Sequence, residues 1–264
     1  MIKFSVVTVT YNAAAVLQRT LDSVSSQSHP NVEHLIIDGA STDSTLDMAL
    51  AYKASNAAHA PHRDVVVLSG LDHGIYDAMN KGLAHVCGDY VVFLNAGDFF
   101  PSPDTLSQIA LRCRLDVLPS CELPAVVYGQ TDIVDSEGRY LHPRRLQPPE
   151  RLTWRSFLHG MLVCHQAFYA RADVARSVRY DTRYRYSADV DWCIRVMLEA
   201  ERRRLPLANA HLTVACYTSE GATTRHHFKS LLERYRVMSR HYGHAATLLM
   251  HCWFAVRTLP PFRP

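Results

Sequence analysis

Over the first hundred residues, runs that read as buried strands alternate with runs that read as helices, joined by short links. Residues 4–10 (FSVVTVT) are rich in β-branched side chains, and Tyr11-Asn12 ends the run. Residues 13–26 carry apolar side chains at 16, 17, 21 and 24, a helical spacing. Residues 32–37 are a second predicted strand, closed by Asp38-Gly39. Ser41-Thr42-Asp43 is expected to open a helix, because a hydroxyl or carboxylate there caps free N–H groups of the first turn. A third strand is predicted at 65–69, a helix at 75–86 and a fourth strand at 90–94. Such alternation implies an α/β fold, a Rossmann-like, mostly parallel sheet with helices on both faces. Ligands of such sheets sit at the carboxyl ends of the strands. Thr10, Tyr11, Asn12, Asp38, Asp72, Asn95 and Asp98 all fall at such ends.

After residue 100 the pattern loosens. A helix is expected at 104–115, then a strand at 125–134 that turns through 135–138 into another at 139–142. Residues 166–169 read as a short strand and 212–217 as a late one. Residues 187–203 read as an amphipathic helix with a basic end, which suits the negative pole of the helix dipole. Phe228, Leu231, Leu232, Tyr235 and Met238 recur at helical spacing, so a C-terminal helical appendage is expected. Residues 245–256 are apolar but too few to span a bilayer. Packing on the body or contact with a second copy is the favoured role for them, over a place in the membrane interface beside Arg240, Arg257 and Arg263.

No linker or repeat divides the chain, so one domain is expected over 1–220, with an appendage over 221–264. The seven cysteines form no CxxC pair and are odd in number, which argues for buried reduced thiols rather than disulfides or a zinc site. The start shows no charged n-region or cleavage site, so a cytoplasmic location is expected. Charge is divided unevenly. Residues 1–138 hold 7 Lys/Arg and 16 Asp/Glu, and residues 139–264 hold 21 and 9. The basic half suits either a solvated surface or something anionic, such as a phosphorylated acceptor or the inner membrane face.

Four motifs in order carry a family resemblance. They are Val6-Val7-Thr8-Val9-Thr10-Tyr11-Asn12, then Ile37-Asp38-Gly39-Ala40-Ser41-Thr42-Asp43, then Asp72 through Gly82 (DHGIYDAMNKG), and last Gly88 through Asp98 (GDYVVFLNAGD). Together they resemble family 2 glycosyltransferases of the GT-A fold, in particular the bacterial branch that builds exopolysaccharide, such as colanic-acid glycosyltransferases. The resemblance covers residues 4–220. It implies a nucleotide-sugar-binding half over 1–100 and an acceptor half over 101–220.

The expected chemistry is transfer of a sugar from a nucleoside-diphosphate sugar to a saccharide or a polyprenyl-diphosphate-linked acceptor. A divalent cation, Mg²⁺ or Mn²⁺, would stabilise the departing diphosphate and would want oxygen ligands. The family usually presents Asp-x-Asp here. This chain has Asn95-Ala96-Gly97-Asp98, which makes Asp98 the expected ligand and Asn95 a partner of ribose or phosphate. The resemblance also places Thr10, Tyr11 and Asn12 in the nucleotide pocket. It assigns Asp38 to base or ribose donors, Asp72 to sugar hydroxyls, Lys81 to phosphate and Asn80 to a polar contact.

An inverting transfer needs a general base on the face opposite the leaving group. The family's Glu-Asp pair is Ala188-Asp189 here, so Asp189 is the expected base and Asp191 the alternative. His165 and Gln166 are expected on the acceptor side. Residues 220–227 (EGATTRHH) suggest a loop that closes over the donor, with Arg225, His226 or His227 reaching the diphosphate. A homo-oligomer is compatible with the sequence, and a nucleic-acid partner is not expected. A nucleotidyltransferase would want a Gly-rich phosphate loop after the first strand, where Thr10-Tyr11-Asn12-Ala13 offers none. Gly97 and Ala188 keep open a relative that binds a nucleotide without catalysis.

Overall fold

The structure is a computed structural model that describes residues 1–60, 63–218 and 227–256. The predicted alternation is present as β1 (Phe4–Thr10), α1 (Ala14–Ser25), β2 (Val32–Asp38), α2 (Thr45–His59), β3 (Asp64–Ser69), α3 (Ile75–His85) and β4 (Tyr90–Phe93). Then follow α4 (Thr105–Arg112), β5 (Val126–Val134), β6 (Tyr140–Pro143), β7 (Phe168–Arg171), α5 (Ala172–Ser177), α6 (Ala188–Arg202) and β8 (Leu207–Thr218). The C-terminal pair is α7 (His227–Tyr242) and α8 (His244–Val256).

One eight-stranded sheet runs β3-β2-β1-β4-β7-β5-β6, with β8 also paired to β5. The β3-β2-β1-β4 block is parallel. β7 joins it antiparallel, and β8 runs parallel to β5. Register sets the site: Thr10 lies opposite Asp38, and Asp38 opposite Ser69, so their side chains share one rim of the sheet.

Strand alternation sends Ile36 to one face, where it packs with Leu17, Leu21 and Ala49 of α1 and α2. Val7 and Ile37 face the other way and meet α3 at Gly82, where a Cβ would come within 2.5 Å of Val7. That contact explains a glycine inside a helix. Tyr180 ties this face to the second half: its ring stacks on Trp192 at 4.8 Å and on Tyr76 at 5.6 Å.

Three local expectations are corrected. The helix after β2 starts at Thr45: Asp43 caps it as expected, accepting from Thr45 N–H, while the other expected cap residues are drawn across to the loop after β1. Ser41 Oγ accepts from Asn12 N–H, and Asp43 accepts from Ala14 N–H. Residues 165–167 form a 3₁₀ turn ahead of β7 rather than its start. Four cysteines are buried, but Cys87, Cys121 and Cys252 are exposed, and all seven are free.

The appendage docks through α7. Val237 and Met238 are buried, and the Glu233 carboxylate accepts from the N–H groups of Arg185, Tyr186 and Ser187, just ahead of α6. α8 packs on α7 and on the 3₁₀ turn Trp154–His159. Among the described residues, no helix is long and apolar enough to cross a membrane.

Candidate active site

The first wall of the cleft is the rim of β1, β2 and β3. Asn12 sits in the left-handed region (φ 47°), and its amide oxygen accepts from Thr42 N–H, which clasps the β1 and β2 loops together. Tyr11 is 65% exposed beside Gly39, a free aromatic face at the strand end. The Asp38 carboxylate is buried and accepts from Ser41 N–H, Ser41 Oγ and Ser69 Oγ. Asp72 Oδ2 lies where a Cβ on Gly39 would be only 2.6 Å away, so a side chain at 39 would push Asp72 out. Lys81 Nζ donates to the carbonyl of Leu71 at 2.6 Å and fixes the loop that carries Asp72. Thr10 Oγ1 is buried with no hydrogen-bond partner among the described residues.

The turn after β4 forms the floor. Thr20 Oγ1 accepts from Gly97 N–H and donates to the Asp98 carbonyl, so α1 pins the turn. Asp98 is buried and receives Gln166 Nε2 at 3.0 Å. Burial pushes its carboxyl up to about 6, against the Gln166 hydrogen bond and the charges of His165 and Arg19. Asn95 Oδ1 is buried with no hydrogen-bond partner among the described residues. One carboxylate and one orphaned amide oxygen in a single turn suit a hard cation that takes its other oxygens from diphosphate and water. Among the described residues there is no cluster of three or more His, Cys, Asp or Glu that could hold a metal unaided.

Asp189 faces this turn from the first turn of α6, with 17% of its side chain exposed. Burial alone would raise its pKa. The His165 hydrogen bond and charge, with help from Arg234, instead hold it below the ordinary carboxylate range. Tyr76 Oη donates to Asp189 Oδ1 at 3.1 Å, and His165 Nδ1 lies 3.4 Å from Oδ2. The other nitrogen of His165, Nε2, is 3.1 Å from Asn95 Nδ2. His165 thus bridges the β4 turn and the α6 carboxylate. Beside Tyr76 opens a cavity of about 450 Å³, walled by residues 73–77, 182 and 184–186.

Most of the expected residues converge here, and two do not. Both ends of the Asn80 amide hold the backbone of Tyr180, donating to its carbonyl at 3.0 Å and accepting from its N–H at 2.8 Å. Its task is to seat the aromatic stack under Tyr76. Asp191 is fully buried and bound to Arg195 (2.6 Å) and His241 (2.8 Å), so it fastens α7 to α6 and faces no cleft. Residues 220–226 and the side chain of His227 lie outside the described residues. Sequence reasoning missed Ser69, Tyr76, Glu233 and Arg234. Tyr76 stood inside a quoted motif, but its partner is 113 positions away.

A parallel rim of polar loops, a buried carboxylate turn below it and an ionised carboxylate opposite define a GT-A transferase. The family described as Glycosyl transferase family 2 matches residues 5–177. A PGL/p-HBAD biosynthesis glycosyltransferase of Mycobacterium bovis is 33% identical over 220 residues, covering 83% of this chain and 77% of that protein. The amylovoran biosynthesis glycosyltransferase AmsB of Erwinia amylovora is 29% identical, covering 80% and 70%. In fold, S. aureus TarS 1–349 in complex with UDP-GlcNAc superposes with a TM-score of 0.66 at 19% identity, over 89% of this chain and 64% of that one. The mannosyltransferase PcManGT from Pyrobaculum calidifontis, in complex with GDP-Man and Mn²⁺, gives 0.61 at 14% identity, over 99% and 82%. The chain belongs to glycosyl transferase family 2.

Proposed function

We propose that this glycosyltransferase is an inverting enzyme that builds a bacterial surface glycan, with a nucleoside-diphosphate sugar as donor. The observation that carries the reading is the continuous contact from Asn95 through His165 to Asp189 and Tyr76, which holds a base opposite the donor turn. Asp189 takes the proton of the acceptor hydroxyl as that oxygen attacks the anomeric carbon and the bond to the diphosphate breaks. Its lowered pKa keeps it ionised at neutral pH and ready to accept.

The exposed ring of Tyr11 and the side chains of Asn12 and Asp38 would border the nucleoside, with Asp72 and Lys81 toward sugar and phosphate. Asp98 and Asn95 would hold a divalent cation, which stabilises the negative charge of the leaving diphosphate. The Mn²⁺ in the PcManGT complex and the UDP-GlcNAc in the TarS complex support this reading by analogy. The acceptor would be a saccharide or a polyprenyl-diphosphate-linked one, met at the inner face of the membrane. AmsB, named for amylovoran biosynthesis, supports the glycan class.

The test is a panel of nucleotide sugars, scored by thermal stabilisation and by nucleoside diphosphate release, with and without Mn²⁺. One or a few donors should raise the melting temperature and release diphosphate only with metal. No shift with any nucleoside diphosphate would overturn the reading.

A further inference from the structure

A second cavity, of about 280 Å³, lies between α7, α8 and the segments at 145–146 and 159–160. Its wall divides by chemistry. Arg145, His159 and Arg234 supply positive or protonatable groups, and Leu146, Leu231 and Phe254 supply apolar surface. Neighbouring Arg144 is fully engaged, donating to the carbonyls of Leu146, Met161 and Leu162 and to Tyr217 Oη. Arg145 and Arg234 are different: among the described residues neither forms a hydrogen bond or ion pair with a protein group. The Nε of Arg234 is buried and still lacks a partner. A buried guanidinium nitrogen without an acceptor is costly, and an anion in the cavity would satisfy it.

The cavity is linked to the carboxylate of α6 through the charge of Arg234. Arg234 is near enough for its charge to lower the pKa of Asp189. The adjacent Glu233 caps the approach to α6. The helices that wall the cavity also expose apolar side chains: Phe228 (78%) and Leu232 on α7, Leu249 (72%) and Trp253 on α8.

We propose that this cavity seats the diphosphate of a lipid-linked acceptor, with Arg145 and Arg234 on the phosphates and the first isoprene-like carbons along Leu146, Leu231 and Phe254. The exposed apolar side chains of α7 and α8 then continue the path of the lipid toward the membrane surface. This assignment rests on the proposed transfer at Asp189, which fixes where the acceptor hydroxyl must arrive. Guanidinium groups suit phosphate oxygens through paired N–H donors, and the apolar half excludes a wholly water-soluble ligand as the best fit.

The test is calorimetry on the full chain, with the donor site first filled by the nucleoside diphosphate that stabilises it most. Three probes are compared: farnesyl diphosphate, farnesol and inorganic diphosphate. Farnesyl diphosphate should bind at least about tenfold more tightly than either of the others. Arg145→Gln, a change at an exposed side chain, should keep the wild-type melting temperature and weaken farnesyl diphosphate about tenfold, as should Leu231→Asp. Equal binding of farnesol, equal binding of inorganic diphosphate, or no loss in either variant would each overturn the proposal. Failure of the glycosyltransferase reading itself shows earlier and separately, as a donor site that no nucleoside diphosphate fills.

Discussion

His165 meets Asp189 through Nδ1 at 3.4 Å, while its Nε2 receives the amide of Asn95 at 3.1 Å. With Asn95 donating to Nε2, the proton of a neutral ring sits on Nδ1 and faces the carboxylate. The imidazole therefore orients the Asp189 carboxylate, the proposed base, and helps keep it ionised. Asp189→Asn is expected to lower kcat by about 10²–10⁴-fold, the usual worth of a positioned base. Nucleotide affinity should stay near wild type. Nucleoside diphosphate release and calorimetry check both, and unchanged turnover would remove Asp189 from the base role.

His165→Ala acts one step back. Asp189 loses the hydrogen bond that helps hold its pKa down, so the acid limb of the rate profile should move to higher pH. A fall in kcat of about tenfold or somewhat more matches one hydrogen bond to a charged group. A uniform loss of rate with no movement of the limb would mark a purely structural role.

Asp191→Ala separates the two acids of α6. It leaves Arg195 and His241 without their shared buried carboxylate and loosens α7. Removing one partner of a buried pair costs about 3–5 kcal/mol, so the melting temperature should fall clearly. The pH dependence of kcat should keep its wild-type shape, because Asp189 is intact. Thermal unfolding beside a rate profile tests this.

Asp98 supplies a pH prediction with a definite sign. Its folded carboxyl stands at about 6, above the ordinary 3.8. Between about pH 4 and about pH 6 the folded protein thus keeps a proton that the unfolded chain has lost. Stability contributed by this group falls as pH rises across that window, by about 1.4 kcal/mol per unit. His34 works the other way: burial holds its imidazole down at about 3, so its contribution rises with pH up to about 6.5. The readout is therefore the difference between wild type and Asp98→Asn in denaturant midpoint. That difference should change steadily from pH 4 to 6, and Mn²⁺ at the higher pH should shrink it. A difference independent of pH would show that Asp98 is not desolvated.

These residues also mark what the sequence could convey. The parallel block was legible because β-branched runs alternate with helical spacing, and chain order then puts Thr10, Asp38 and the Asn95–Asp98 turn on one rim. Asp189 was legible by resemblance. The role of Asn80 was not, because its partner is the backbone of Tyr180, a hundred positions away, and an amide in a helix carries no sign of such a partner. Asp43 caps the helix at Thr45 N–H by the local rule, yet its other oxygen and Ser41 Oγ serve the loop after β1, a contact only the parallel pairing of β1 and β2 creates. Asp191 had the same local signature as Asp189. Two residues along a helix turn the side chain to a different face, and Arg195 and His241 decide what it meets.

Glu233 makes the last prediction, since it joins the appendage to the start of α6, which carries the proposed base. Its carboxylate accepts from three successive backbone N–H groups, Arg185, Tyr186 and Ser187, immediately before the turn that carries Asp189. Charge-assisted bonds of this kind hold the start of α6 in place. Glu233→Ala leaves those donors unsatisfied and frees the entry to the helix, so both the melting temperature and kcat should fall. Glu233→Gln keeps one acceptor oxygen and should recover part of each. Donor affinity should be little affected, because the rim of β1, β2 and β3 is built without α7. Paired melting curves and steady-state rates on the two variants test this. Stability lost with kcat intact would show that α7 only braces the fold and does not set the position of Asp189.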